Sequence, residues 1–149
     1  MLPPRIDAKC VHDAMGPYAD AQEGLDQRGK VYQELLGFVP PRIEARLHVT
    51  GALDPQMLDL QEQIRAHGMY PKCFDVKTAQ LMLFGMLLMD LNDAATLHGI
   101  AARRAGATWE EMQAVINLCF LFRGLSAANR GAEILGNIAK RETEQQQKK

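Results

Sequence analysis

The feature that most constrains the fold of this chain is a continuous apolar run from Leu81 to Met89, LMLFGMLLM. The run lies inside VKTAQLMLFGMLLMDL, and Asp75, directly before this stretch, has the side chain of a helix N-cap. A helix that is apolar nearly all round must be covered on every side, so it belongs in the middle of a protein or of an oligomer. Because the run is about half as long as a bilayer span, we predict a buried central helix and no membrane insertion.

Helix signals continue along most of the chain. Asp54-Pro55 supplies a cap and a first-turn proline, and Thr108 and Glu111 form a capping box in which each side chain can bond the other residue's backbone. The predicted helices cover residues 20–37, 41–51, 55–68 and 76–91, a stretch around His98 that ends near residue 105, and residues 109–123 and 126–138. No segment alternates apolar and polar residues for long enough to indicate a strand. The sequence therefore predicts an all-α protein of about six to seven helices.

Chain length and local composition predict the domain organisation. With 149 residues and 47% hydrophobic composition, the chain can bury one good core, so we predict a single domain over residues 1–149. Residues 1–19 contain Pro3, Pro4 and Gly16-Pro17 with little periodicity, which indicates an irregular N-terminal arm. Residues 141–149, RETEQQQKK, are predicted to form a solvated tail.

Charge and cysteine content narrow the classes of function. The chain has 17 basic and 18 acidic side chains, and no basic block is longer than the terminal Lys148-Lys149 pair, so we expect neither a nucleic-acid nor a membrane surface. The N-terminus lacks the apolar core of a signal peptide, which predicts a cytoplasmic protein. Cys10, Cys73 and Cys119 are widely spaced and match no zinc pattern, so we expect free thiols and no metal.

One histidine stands among small residues. Ala94, Ala95, Ala101 and Ala102 occupy the positions three and four residues from His98, on the same face of its predicted helix. A neighbouring helix could fill the space beside these methyl groups while the imidazole bonds a carbonyl. Alternatively, the space could be a pocket with a single acid/base group. The spacing alone leaves both interpretations open.

Several short motifs occur together around this histidine. The stretch opens with FDVKT at residues 74–78, and AGATWEEM at residues 105–112 and GLSAAN at residues 124–129 follow His98. In these motifs the stretch from Phe74 to Asn129 resembles the core of the carboxymuconolactone decarboxylase family, which includes alkylhydroperoxidase D. The resemblance implies an all-α fold with a family-like core over residues 74–139, assembly into homotrimers or homohexamers, and active sites near subunit contacts.

Departures from the family pattern bear on the chemistry. Peroxidase members resemble C-x-x-C-x-x-x-H, and the two cysteine positions before His98 are Leu91 and Ala94 here. Because thiol peroxidases need a low-pKa thiolate and a resolving partner, this argues against peroxidase activity. Decarboxylase members often have a glutamate at the position of Ala94, and their arginine and glutamate after the K-T pair fall at Ala79 and Gln80. The family's acid/base relay is therefore reduced to His98 and polar neighbours.

Five residues are predicted to form the site, His98 from the resemblance and the others from the family pattern or from their position along the chain. His98 is predicted to be the catalytic acid/base, with Asp93 beside it as a second catalytic residue and Gln80 as a possible orienting group. Gln80, Ala94 and Arg123 are predicted to bind substrate. The Arg123 guanidinium could hold a substrate carboxylate, or it could be a surface charge that compensates the end of its helix. No cofactor or metal is predicted.

Three functional hypotheses follow. The first is a cofactor-independent lyase or isomerase that acts on a small carboxylated lactone or ring compound from aromatic catabolism, because a histidine can protonate the enolate that decarboxylation leaves. The second is a redox protein of the alkylhydroperoxidase type, which the missing cysteines disfavour. The third is a non-catalytic helical oligomer that binds a small ligand or a partner.

Overall fold

The computed structural model describes residues 3–20 and 22–147, and this part of the chain contains eight α-helices and no strand. The all-α prediction is confirmed, with one helix more than the upper expected number. The helices are α1 (Ala8–Met15), α2 (Leu25–Leu36), α3 (Pro41–Leu53), α4 (Pro55–Met69), α5 (Val76–Met89), α6 (Ala95–Arg104), α7 (Trp109–Arg123) and α8 (Leu125–Gln146). Over the described residues, none of these helices combines the length and apolarity that a membrane span requires.

The extra helix lies in the segment predicted to be an irregular arm. Asp7 caps α1, since its side chain accepts hydrogen bonds from the backbone N–H groups of Lys9 and Cys10. The prolines and the Gly16-Pro17 pair that suggested irregular structure flank α1 instead of interrupting it. The prediction of an irregular arm was therefore wrong for residues 8–15, because one Asp cap outweighs breakers that lie outside the helix. Residues 1 and 2 of the predicted arm lie outside the described residues.

The predicted tail also differs. Helix α8 continues to Gln146, so most of the segment from residue 141 is helical, although residues 143–147 are exposed as expected. Glutamate, glutamine, lysine and arginine are good helix formers, which lets a packed helix extend into solvent for further turns. Residues 148 and 149 of this tail lie outside the described residues.

The chain divides into two compact units, and the boundary between them lies between Met69 and Tyr70. The prediction was a single domain. Length limits how many cores a chain can build, but the placement of contacts depends on which helices pack together. In the N-terminal unit, α3 packs against α1, α2 and α4. Its apolar core consists of Tyr32, Leu36, Leu47 and Leu58.

The C-terminal unit is built around α5, which packs against α6, α7 and α8. Phe84 and Leu88 from the apolar run are fully buried. Within the single chain this helix is not covered on every side, because Met82 and Met86 are 42% and 60% exposed. The three helices α6, α7 and α8 surround α5 only in part, so one face of α5 stays accessible. The other predicted location, in the middle of an oligomer, stays a prediction.

Candidate functional site

His98 lies in the first half of α6 and contacts Gln80 on the neighbouring helix α5. Ala94 is the N-cap of α6, and the side chain of Asn92 accepts a hydrogen bond from the Ala94 backbone N–H at 2.9 Å. This local bond fixes the start of α6 and therefore the direction in which His98 leaves the helix. The imidazole Nδ1 lies 2.8 Å from Gln80 Oε1.

The Gln80 amide determines which nitrogen of His98 has the proton. A carbonyl oxygen can only accept a hydrogen bond, so Nδ1 of His98 must be the donor in this contact. In the neutral imidazole the lone pair then lies on Nε2, which is the nitrogen available to a reacting group. Gln80 therefore acts on His98 as an orienting residue that also selects its tautomer.

The second polar atom of the Gln80 amide, the nitrogen Nε2, makes no hydrogen bond among the described residues. Gln80 itself is 0% exposed. A buried amide N–H without a partner costs about 1–3 kcal/mol, so such groups are rare in folded proteins and call for an explanation.

Burial changes the acid/base properties of His98. Removal of the imidazole from water lowers the pKa of His98 below its ordinary value of 6.5. The group is therefore neutral at neutral pH, and its Nε2 is free to accept a proton. A neutral histidine with a fixed tautomer in a protected position is suited to general base catalysis, or to acid catalysis after it has been protonated.

The structure places the remaining predicted site residues in different surroundings. The Asp93 carboxylate is paired with Arg130 on α8, with 2.6 Å between Oδ1 and Nη2. Arg123 is exposed at the C-terminal end of α7, and Ala94 is half-buried. The structure thus brings Gln80 to His98 and gives Asp93 a cationic partner, while the proposed roles of Asp93, Ala94 and Arg123 stay predictions.

The alanines around His98 do not leave open space. Ala95, Ala101 and Ala102 are at most 1% exposed, because the packed helices of the unit cover them. Gly99 shows how close this packing is: a Cβ at this position would lie 2.8 Å from Cδ1 of Ile138 on α8. The interpretation of these methyl groups as the wall of a pocket was therefore wrong for three of the four alanines.

The motifs that carry the family resemblance contact each other. Lys77 from the opening DVKT forms a 2.7 Å ion pair with Glu111, which also completes the capping box with Thr108. Arg103 lies over the ring of Trp109, with 3.9 Å from the guanidinium carbon to the ring centroid, and pairs with Glu142 on α8. The Lys77–Glu111 pair thus links α5 to α7, and the Arg103 contacts link α6 to α7 and α8, in the unit that contains Gln80 and His98.

Two of the three cysteines have a raised thiol pKa. Cys119 is buried on α7, its Sγ lies 3.5 Å from the carbonyl oxygen of Gly85, and burial raises its pKa. The hydrogen bond to Asp7 raises the pKa of Cys10. Both changes disfavour the thiolate form that a peroxidase requires. No group of three or more His, Cys, Asp and Glu side chains able to hold a metal occurs within residues 3–20 and 22–147.

The N-terminal unit contains polar clusters that sequence analysis missed. Arg28 and Glu62 are each 5% exposed, and Arg28 pairs with Asp20 and Asp59. The Glu62 carboxylate contacts Arg46, Arg65 and the Tyr32 hydroxyl. A pocket of about 310 Å³ lies beside these residues. Apart from Glu62 and Arg65, the partners are eight or more residues apart along the chain. Helix periodicity relates residues within one turn, so it could not predict these pairs.

A histidine pair was missed for the same reason. His12 on α1 and His48 on α3 face each other, with 2.9 Å between Nε2 of His12 and Nδ1 of His48.

Comparisons with known proteins add no assignment for either unit: no protein-family model matches the chain, and neither a curated protein nor a solved structure is significantly similar to it.

Proposed function

We propose that this protein is a carboxymuconolactone decarboxylase-like lyase or isomerase that uses His98 as its acid/base and needs no cofactor. Its substrate would be a small carboxylated lactone or ring compound from aromatic catabolism. The observation that supports this most is the His98–Gln80 pair, in which Gln80 fixes the tautomer of an imidazole whose burial lowers its pKa and keeps it neutral. The family's helical fold, a homotrimer or homohexamer and a cytoplasmic location belong to the same proposal.

The proposed chemistry uses both groups. When the bond between the ring carbon and the carboxylate breaks, CO₂ leaves and the electron pair forms an extended enolate. A proton that Nε2 of His98 has taken from a water molecule is then transferred to the ring, which regenerates the neutral imidazole, and the hydroxide left from that water combines with the CO₂ as bicarbonate. Gln80 Oε1 accepts the hydrogen bond from Nδ1–H of His98, so that Nε2 is the nitrogen that transfers the proton.

Replacement of His98 tests the proposal. In the variant His98→Gln, the side chain has a similar reach but cannot exchange a proton, so turnover should fall by about 10²- to 10⁴-fold. The measurement is turnover of whichever substrate is found in a screen of carboxylated lactones and aromatic acids. His67→Gln, at an exposed histidine on α4, is the matched control and should leave turnover unchanged.

Circular dichroism shows whether each variant is folded. Full turnover in folded His98→Gln would remove His98 from the mechanism. Binding of these acids without any turnover in the natural chain would instead support a non-catalytic ligand-binding protein. Peroxide reduction that depends on dithiols and is lost when Cys10, Cys73 and Cys119 are replaced together would support the redox alternative.

A further inference from the structure

The N-terminal unit contains a pocket of about 310 Å³, and none of its lining residues takes part in the chemistry proposed above. Helix α2, the turn before it and helix α4 line this pocket, which we call the α2–α4 pocket. Its volume is within the range of small-molecule sites. Val31 and Ala66 contribute apolar surface, and the charged side chains in the lining are those of Glu23, Arg28, Asp59, Glu62 and Arg65.

One end of the pocket is acidic. Arg28 forms ion pairs with three carboxylates, at 2.7 Å to Asp20, 3.4 Å to Glu23 and 2.9 Å to Asp59. Because a guanidinium has a single positive charge, this group has two negative charges in excess. The Asp20 side chain is buried, but those of Glu23 and Asp59 are 44% and 21% exposed. A cation in the pocket would reduce the excess negative charge and can reach both of these carboxylates.

The other end of the pocket is basic. The Glu62 carboxylate pairs with two guanidinium groups, those of Arg46 and Arg65, so one positive charge is in excess there. Arg65 uses Nε for this pair, and its Nη2 makes no hydrogen bond among the described residues. Its guanidinium carbon lies 4.5 Å from the centroid of the Tyr32 ring, which holds the group in one orientation. An oriented guanidinium with an unused nitrogen is suited to bind a carboxylate.

Helix geometry gives the distance between the two ends. On α2, the acidic end is at Arg28 and the basic end is at Tyr32, four residues further on the same face. On α4, Asp59 and Arg65 are six residues apart. At a rise of 1.5 Å per residue, these separations are about 6 and 9 Å along the helix axes. A ligand that reaches both ends therefore needs opposite charges separated by a short chain.

We propose that the α2–α4 pocket binds a short zwitterion, with its ammonium group against Glu23 and Asp59 and its carboxylate on Arg65. An ω-amino acid and a short peptide share this chemistry, because each has an amine and a carboxylate at opposite ends of a short chain. A ligand with only one of the two charges would leave one end of the pocket without its ionic contact. The inference does not depend on enzymatic activity at His98.

Calorimetric titration of the full natural chain with three matched probes tests the proposal. 6-Aminohexanoate, hexylamine and hexanoate have six carbons each and differ in which charged ends they have. We expect 6-aminohexanoate to bind at least about tenfold more tightly than either of the others, because only this probe makes both ionic contacts. Equal binding of the three probes, or no binding of 6-aminohexanoate at millimolar concentration, would overturn the proposal.

A fourth probe distinguishes the two sources of a short zwitterion. Diglycine also has an amine and a carboxylate at its ends, but a peptide bond joins them. Tighter binding of diglycine than of 6-aminohexanoate would support the proposal with a peptide as the ligand. The opposite order would support it with an ω-amino acid.

NMR locates the bound probe without any substitution. Addition of 6-aminohexanoate should shift the backbone amide signals of residues 22–31 and 59–66. Shifts confined to residues near His98 would mean that the probe occupies the site of the proposed enzymatic function, and this would overturn a separate site in the N-terminal unit.

Two variants assign the ends of the ligand. Glu23→Gln should weaken binding of 6-aminohexanoate by about tenfold, whereas Glu34→Gln, at an exposed glutamate of α2 outside the pocket, should leave it unchanged. Arg65→Gln should bind 6-aminohexanoate no more tightly than hexylamine, because the contact to the carboxylate is lost. Circular dichroism shows whether each variant is folded. Unchanged binding in folded Glu23→Gln and Arg65→Gln would overturn the proposed contacts.

Discussion

At the scale of single residues, the Gln80 amide determines which nitrogen of His98 donates a hydrogen bond. Oε1 of Gln80 lies 2.8 Å from Nδ1 of His98, and Nε2 of Gln80 is buried without a partner in the described chain. Glutamate at this position, as in decarboxylases of the family that the chain resembles, would exert a different effect, because a carboxylate stabilises the charged imidazolium. A glutamate at position 80 would therefore favour a protonated His98, whereas the glutamine present here favours a neutral one.

Gln80→Glu should raise the pKa of His98 by at least about one unit from its lowered value, because a buried carboxylate would face Nδ1 directly. The measurement is an NMR titration of the His98 imidazole in the natural chain and in the variant. Gln80→Met, which removes the hydrogen bond without adding charge, is the control and should not raise this pKa. An unchanged titration in folded Gln80→Glu would contradict the contact between these two side chains.

At the scale of helices, the C-terminal unit depends on close approach between α7 and α8. Gly131 on α8 lies against Ile116, and a Cβ added there would be 2.6 Å from Cγ1 of that isoleucine. Gly136 lies on the same helix, and a Cβ there would meet nothing within 4 Å. The two glycines thus lie on the same helix, but only Gly131 is packed closely against another side chain.

Gly131→Ala should lower the free energy of unfolding by about 1–3 kcal/mol, because Ile116 is buried and has little room to move. Gly136→Ala should raise it by about 0.5–1 kcal/mol, because alanine is the better helix former. Urea unfolding of both variants and the natural chain measures the difference. Equal effects at both positions would mean that α7 and α8 do not approach each other as described.

At the scale of the whole molecule, two histidines link stability to pH. His48 is 7% exposed, and its burial and the neighbouring His12 lower its pKa, while the nearby Glu44 carboxylate acts in the opposite direction. Burial also lowers the pKa of His98. Between the lowered pKa and the ordinary value of 6.5, the unfolded chain binds more protons than the folded one. Stability is therefore fully present above pH 6.5 and decreases as the pH falls.

We expect the urea midpoint to fall between pH 7.5 and pH 5, a window above the range in which most carboxylates titrate. His48→Gln should make this fall smaller, since the unfolded chain then has one histidine fewer to protonate. His67→Gln, at an exposed histidine, should leave it unchanged. A fall of the same size in His48→Gln would show that His48 does not contribute to the acid sensitivity.

The sequence by itself determined the helical class and most helix boundaries. The Thr108–Glu111 capping box and the Asp75 cap occur as predicted, and Pro41 begins α3. These signals act between residues within one helical turn, so no knowledge of the packing is needed to interpret them. The same principle explains α1: Asp7 was a local signal that was overlooked.

Only the tertiary structure decided which side chains meet. Gln80 and His98 are 18 residues apart, and His12 and His48 are 36 apart. The family resemblance suggested Gln80 as an orienting group, but periodicity offered no means to find the histidine pair or the partners of Arg28. Packing also decided that the alanines beside His98 are covered whereas Leu121 and Phe122 on α7 are exposed, because burial depends on neighbours from distant parts of the chain.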